Sequence, residues 1–359
     1  MPEPVVGFIG CGHIGRFHSR NVRGVLQREL LPGRYAAVCD REPGKAEAFA
    51  GITGAAVVEG AESLLARRDL TAVYVCTETS EHPALVHAAL ERGLAVFCEK
   101  PLARTLAEVE GMERHAREAG VANQVGLVLR SSPVFTVLAE MIRDPGLGPL
   151  LTAHLRDDQF FPDHGHYGSS WRNDFARAGG GTLIEHSIHD VDLFRWLFGE
   201  IEAVRCHTRV TSGHDRVEDV AVATFQHTGG HQTTLSSVWH QVDGRPSTRR
   251  LEVFFEGGWF ATEHDFIGPI RYQLRSGPEM ELAAGAVFDR YCGIQGLAGM
   301  EAEIARAGMY ADLLFLRAVH EGTPAFPGFD VGLAAHRIVD ACYRSAATGG
   351  EVAVESGAR

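Results

Sequence analysis

Between the apolar stretch Val5-Val6-Gly7-Phe8-Ile9 and a segment of helical period stands Gly10-Cys11-Gly12-His13-Ile14-Gly15, a G-x-G-x-x-G run. Glycines so spaced let the backbone turn sharply out of a strand, approach a pyrophosphate and open a helix whose amino end faces that anion. The six residues alone are a weak signal. They gain force from Asp40, 25 residues past the last glycine, where a second apolar run ends and an acid accepts hydrogen bonds from the adenosine ribose hydroxyls. A carboxylate there repels a ribose 2′-phosphate, so NAD is the expected cofactor. Arg41, directly after it, can rotate toward such a phosphate and leaves NADP open.

The first 125 or so residues alternate short apolar runs with helical segments, the pattern of repeated βαβ units and a doubly wound parallel sheet. Strands are predicted at 5–10, 35–39, 55–58, 72–77, 95–98 and 121–128. Pro83 and Gly93 punctuate one helix, and Thr105 with Glu108 makes a capping-box pattern for the next. After Arg130 the rhythm changes to longer alternating stretches at 151–155, 204–210, 220–226, 232–239, 251–255, 259–263 and 270–274. These predict an α+β domain on an open, mostly antiparallel sheet, with helices over 182–198, 300–321 and 331–347. The expected division is 1–128 for dinucleotide binding and 129–359 for substrate binding and oligomerisation, the last helix being able to pack back on the first domain. A sheet face carrying Val222, Phe225 and Leu235 asks for cover, so a homodimer or homotetramer is expected.

Composition narrows the partners. With 34 Lys plus Arg against 46 Asp plus Glu, the formal charge is −12 and no basic tract occurs, so nucleic acid and anionic membrane are not expected. The seven cysteines form no C-x-x-C pair, which fits a reducing compartment. No basic stretch precedes the first apolar run and no 18-residue apolar run follows, so the expected location is cytoplasmic. His164-Gly165-His166 has no carboxylate or cysteine at ligand spacing beside it, and no metal is expected.

Three further segments carry chemistry. Thr77 to His82 and Glu99-Lys100-Pro101 follow the fourth and fifth strands, and ligands in an open parallel sheet bind beyond the carboxyl ends of its strands. The dinucleotide contacts expected are therefore Gly10, Gly12, His13, Ile14, Gly15, Asp40, Arg41, Thr77, His82, Glu99 and Lys100, and Lys100 can also place a positive charge on a substrate oxygen. In the third segment, Gly179-Gly180-Gly181 leads into a helix in which Glu185, His189 and Asp192 would share one face. A histidine beside an orienting acid suits a general base at neutral pH. The same spacing also fits an exposed Glu–His pair, and spacing alone does not separate the two.

Together with the tail Phe326-Pro327-Gly328-Phe329-Asp330 and the helix after it, these motifs resemble, in order and over nearly the whole chain, the glucose-fructose oxidoreductase / inositol dehydrogenase / rhizopine-catabolism (Gfo/Idh/MocA) family. The resemblance implies a Rossmann domain, an open-sheet domain and hydride transfer between a nicotinamide cofactor and a sugar, inositol or related polyol. It implies Lys100 and His189 as the family's motif lysine and histidine, and places Glu185 where the family has aspartate, a departure. Trp171 and Arg172 also resemble a family segment near the sugar; Arg130 and Asp157 are further candidate substrate contacts. Two alternatives stay open: a nicotinamide-binding regulator without catalysis, and a glycosidase or epimerase that oxidises its substrate only transiently.

Overall fold

Five consecutive buried residues form β1 (Val5–Ile9), and the chain leaves it through the glycine run into α1 (His13–Gln27). The computed structural model describes residues 3–163, 168–242 and 244–355, so His164-Gly165-His166 lies outside the described residues. There follow β2 (Arg34–Cys39), α2 (Pro43–Thr53), β3 (Ala56–Val57), α3 (Gly60–Leu65), β4 (Ala72–Val75), α4 (His82–Leu90), β5 (Ala95–Cys98), α5 (Leu106–Ala119) and β6 (Asn123–Val125). All strand pairs are parallel, in the order β3-β2-β1-β4-β5-β6. That is the doubly wound sheet expected from the alternation, with its topological switch point between β1 and β4. Pro83 stands in the first turn of α4, and the Thr105–Glu108 capping box opens α5 with both reciprocal bonds made.

One face of this sheet carries an aromatic ladder. Phe8, Tyr74 and Phe97 are register partners on β1, β4 and β5, with ring centroids 4.5 and 4.8 Å apart and planes nearly parallel. All three are fully buried. Two elements from the far end of the chain complete this unit.

The second sheet begins after α6 (Pro133–Met141) with the long β7 (Leu150–Phe160). Short α7 (Phe175–Ala178) and α8 (Thr182–Glu185) and the longer α9 (Ile188–Phe198) precede β8 (Ile201–Arg209), β9 (Val220–His227), β10 (Gln232–His240), β11 (Thr248–Phe255), β12 (Gly258–Thr262), β13 (Ile270–Leu274), β14 (Met280–Leu282) and α10 (Ala284–Gln295). Then come α11 (Gly299–Arg306), α12 (Tyr310–Glu321), α13 (Phe329–Thr348) and β15 (Val352–Ala353). The sheet order is β14-β13-β12-β11-β7-β10-β9-β8-β15, and only the β7–β10 pair is parallel. The chain divides into two compact units, Met1–Leu127 with Ala298–Leu333 and Val128–Leu297 with Ala334–Arg359.

Strand alternation decides which side of the second sheet is covered. Phe225 and Leu235 are buried, and Phe194 of α9 packs its ring 5.6 Å from that of Phe225. Val222 is 48% exposed and points to the opposite face. The expectation that these three residues share one uncovered face is therefore corrected: positions 222 and 225 differ in parity, and successive strand residues alternate sides. The 182–198 helix is also interrupted, at His186-Ser187, and the 300–321 helix at Gly308. No helix among the described residues is long and apolar enough to cross a membrane.

Candidate active site

In the first unit the three glycines have separate tasks. Gly10 turns with φ +93°, and a Cβ there would meet the Cys76 carbonyl oxygen at 2.5 Å. A Cβ on Gly15 would run into the Gly10 oxygen, so this glycine lets α1 press against the loop. Around Gly12 nothing lies within 4 Å of a built Cβ. Tight turn, open approach and close helix packing, in that order, are what a dinucleotide loop requires. No side chain caps α1 and no acid stands in its first turn, which leaves the amino end to an anion.

Asp40 stitches the end of β2 to this loop. Its Oδ2 accepts the Cys11 N–H at 2.7 Å and its Oδ1 accepts the Glu42 N–H at 2.8 Å. Arg41 points elsewhere: its guanidinium donates to Glu78 Oε2 at 2.7 Å and lies 3.4 Å from Glu81. The hydrogen bond it donates to Glu78, reinforced by the charges of both carboxylates, raises its pKa further. His82 is buried with its ring nitrogens 2.9 Å from the Pro101 carbonyl and 3.2 Å from that of Thr77, so one side chain ties together the loops after β4 and β5. Glu99 Oε2 accepts the N–H of Lys100 at 3.0 Å, and Gly126 leaves room for that carboxylate, since a Cβ there would come within 2.6 Å of Oε1.

Sequence reasoning missed the other side of Glu99. Its Oε1 lies 2.8 Å from Nε2 of His18, whose Nδ1 is 2.8 Å from Oδ1 of Asp312. Asn21 donates to the other Asp312 oxygen at 2.8 Å. A signal was present: His18 and Asn21 are polar residues on the helical stripe that includes Gly15, Val22 and Val25, all buried. Burial alone would lower the His18 pKa, but Asp312 and Glu99 more than offset it and hold it at about 10.

In the second unit the triple glycine serves close packing within the chain. A Cβ on Gly180 would strike the Tyr343 hydroxyl, and one on Gly181 the Glu218 backbone. Glu218 accepts the N–H groups of Gly181 and Leu183 at 2.8 and 3.0 Å and the Tyr343 hydroxyl at 2.9 Å, capping α8. The break after α8 is held from β10, where Ser237 Oγ lies 2.7 Å from Thr182 Oγ1 and 2.6 Å from Ser187 Oγ. Glu185, His189 and Asp192 thus do not ride on one continuous helix.

Their partners follow from that break. Glu185 is buried and meets Arg172 Nε at 3.1 Å, and the Arg172 guanidinium lies over the Trp171 ring at 4.3 Å. Arg130 grips Asp192 with two bonds of 2.8 and 2.7 Å. Asp157 meets Arg249 at 2.9 Å and His186 at 2.8 Å, while Arg249 also reaches Asp190 at 2.5 Å. Burial would raise the Asp157 pKa, but Arg249 and His186 pull it well below the carboxylate range; burial pushes Asp190 up despite Arg249. His189, in the first turn of α9, and Trp171 and Arg172 are each partly exposed.

A doubly wound parallel sheet with this glycine loop and acid defines an oxidoreductase of the NAD-binding Rossmann class. The match extends past the loop: the family model described as oxidoreductase family, NAD-binding Rossmann fold, covers residues 5–127, and that of the GFO/IDH/MocA C-terminal domain covers 135–261. The chain belongs to the GFO/IDH/MocA family. It is 27% identical over 359 residues to inositol 2-dehydrogenase of Rhizobium meliloti (strain 1021), covering 97% of this chain and 98% of that one. Among solved structures, the oxidoreductase domain protein from Kribbella flavida superposes with a TM-score of 0.86 at 24% identity over 99% of this chain and 100% of that one. Levoglucosan dehydrogenase in complex with NADH and L-sorbose does so with a TM-score of 0.84 at 22% identity, again over 99% and 100%. These structural likenesses concern the fold.

Proposed function

We propose that the chain is an NAD-dependent dehydrogenase oxidising a CH–OH carbon of an inositol, sugar or related polyol. The observation that carries this reading is the edge of the first sheet, where the glycine loop after β1, the Asp40 carboxylate and Glu99-Lys100 after β5 stand at strand ends flanking the switch point. The full-length likeness to an inositol 2-dehydrogenase supports the substrate class. Gly10 to Gly15, Asp40, Thr77 and the Glu99-Lys100 segment would hold the dinucleotide, with His82 fixing the two loops. When bound, that cofactor supplies the hydride acceptor.

The chain's own residues then have two tasks. His189 takes the hydroxyl proton, and the Lys100 ammonium steadies the oxygen as negative charge develops on it. Glu185 and Arg172 set the polarity around His189, and Trp171 with Arg172 contacts the substrate. Arg130 and Asp157 act through their ion pairs, as a frame for α9. NAD is preferred, because Asp40 repels a 2′-phosphate while Glu78 and Glu81 hold Arg41 back from one. None of the seven cysteines forms a disulfide, which supports a reducing, cytoplasmic setting. The assembly proposed for the chain is a homo-oligomer. The test is NADH formation on a panel of inositols and sugars, with Lys100→Met and His189→Ala each at least about 100-fold slower. Turnover near the parent rate in both variants refutes these roles.

A further inference from the structure

We propose that His18 is a positioning residue for Lys100: as a buried imidazolium between Asp312 and Glu99, it keeps the Glu99 carboxylate ionised and turned so that its second oxygen receives the Lys100 N–H. The inference rests on the role given to Lys100 above, and adds a residue that lies on α1, the helix opened by the glycine loop.

The geometry fixes the number of protons shared by the three side chains. Each ring nitrogen of His18 faces a carboxylate oxygen at 2.8 Å, and a carboxylate only accepts, so both nitrogens must carry hydrogen unless a carboxyl gives one up. The site is dry: His18 is 0% exposed, Asp312 1% and Glu99 6%. The His18 ring packs 4.6 Å from Phe97 and 5.8 Å from Tyr74, so it stands on the aromatic ladder and has no room to turn away. The groups facing the cluster are Tyr35 and Tyr74 near Asp312, Cys76 and Cys98 near Glu99, Asn21 on α1, and Lys100 beyond Glu99. Arg23 lies beyond Tyr35, and the histidine is the cation that touches both carboxylates. Asp312 acts as its counter-anion, and Asn21 orients Asp312.

An isolated carboxylate in such a place would take up a proton. A protonated Glu99 would withdraw a negative charge from beside Lys100 and loosen the acceptor that pins the lysine's backbone. The aromatic ladder, Asp312 and His18 together therefore transmit the placement of α1 to the residue that meets the substrate oxygen.

Three measurements test this. In the apoprotein labelled with 15N-histidine, one imidazole should show both ring nitrogens protonated at pH 8 and keep them so until about pH 10; the signal should vanish in the His18→Gln/Asp312→Asn double variant. A protein whose histidines are all neutral by pH 8.5 overturns the proposal. In His18→Gln two buried carboxylates share one amide and must hold a proton between them. Its kcat should fall about tenfold or more, with part of the loss recovered as pH rises above the neutral range and that proton is lost, returning the charge to Glu99. The double variant keeps one negative charge and a complete hydrogen-bond chain, Asn21 to the introduced asparagine to the introduced glutamine to Glu99. It should regain most of the lost kcat and a parent-like pH profile, with the affinity for NAD within about threefold throughout.

A purely structural His18 would alter the melting temperature but leave kcat and the pH profile of the folded enzyme unchanged. That outcome, with Lys100→Met inactive, overturns the inference alone. Should His18→Gln fail to fold, the double variant and the 15N spectrum still decide. Parent-like turnover of Lys100→Met overturns the dehydrogenase roles and this inference with them.

Discussion

Cofactor choice is the property most open to a quantitative test, because one arginine is divided between two tasks. Arg41 is bound to Glu78 and lies beside Glu81, yet its side chain is 64% exposed, so the ion pair sits in a high-dielectric, salt-screened setting. Glu78 is buried, and its Oε1 accepts the Ser80 hydroxyl at 3.0 Å, a bond that glutamine would keep. Glu78→Gln with Glu81→Gln therefore preserves shape while releasing the guanidinium. A unit charge pair at about 4 Å in water is worth about 1 kcal/mol, and a 2′-phosphate carries about −1.5 to −2. A released Arg41 is thus worth about 1.5–2 kcal/mol to NADP, a roughly 10- to 30-fold rise in the NADP to NAD ratio of kcat/KM. Steady-state kinetics with each cofactor at one saturating polyol would read it, and the gain should shrink between 0.05 and 0.5 M salt, conditions chosen to span about a threefold change in Debye length. A ratio unchanged within about twofold refutes the reasoning and leaves discrimination to Asp40.

The remaining expectations are quickly stated. Gly181→Ala drives a methyl into the Glu218 backbone and should lower stability by roughly 3 kcal/mol, read by urea unfolding. Thr105→Ala removes a complete capping box and should cost about 1 kcal/mol by the same assay. His18 titrates at about 10 folded against 6.5 free, so its contribution to stability is fully present below about pH 6.5 and is lost as pH rises through about 10; chemical melts across that range should show the decline. Glu185→Gln cancels the charge that meets Arg172. If Glu185 bears on His189 it should shift the acidic limb of kcat/KM to lower pH, and an unmoved limb with turnover within about threefold assigns Glu185 to packing. Light scattering at micromolar protein should show an oligomer; a monomer refutes that part of the proposed function.

What was legible in the sequence was whatever depends on neighbours. The six parallel strands follow from apolar runs alternating with helical segments, and the glycine loop, the Pro83 start of α4 and the Thr105 box are each decided within a few residues. The break at His186-Ser187 is decided by Ser237, 50 and 55 residues away in the chain from the two hydroxyls it engages, and nothing local announces it. The misplaced sheet face is a different error, an inconsistency of parity between Val222 and Phe225 that period-2 alternation could have corrected.

His18 shows where such reading stops. Its place on the buried stripe of α1 is visible from the helical period, and a polar residue there signals that a partner must exist. The partners are 81 and 294 residues away, and Asp312 arrives from a segment that follows β7 to β14 of the second sheet in the chain but belongs to the first unit. Burying one cation with two anions is costly unless each oxygen and each N–H is matched, and here the matches converge on the backbone N–H of Lys100. Apolar side chains of similar volume could fill the same space at no less stability. A charge cluster that stands where apolar packing would suffice, and that ends at the lysine proposed to meet the substrate oxygen, is better explained by the placement of Lys100 than by the stability of the sheet.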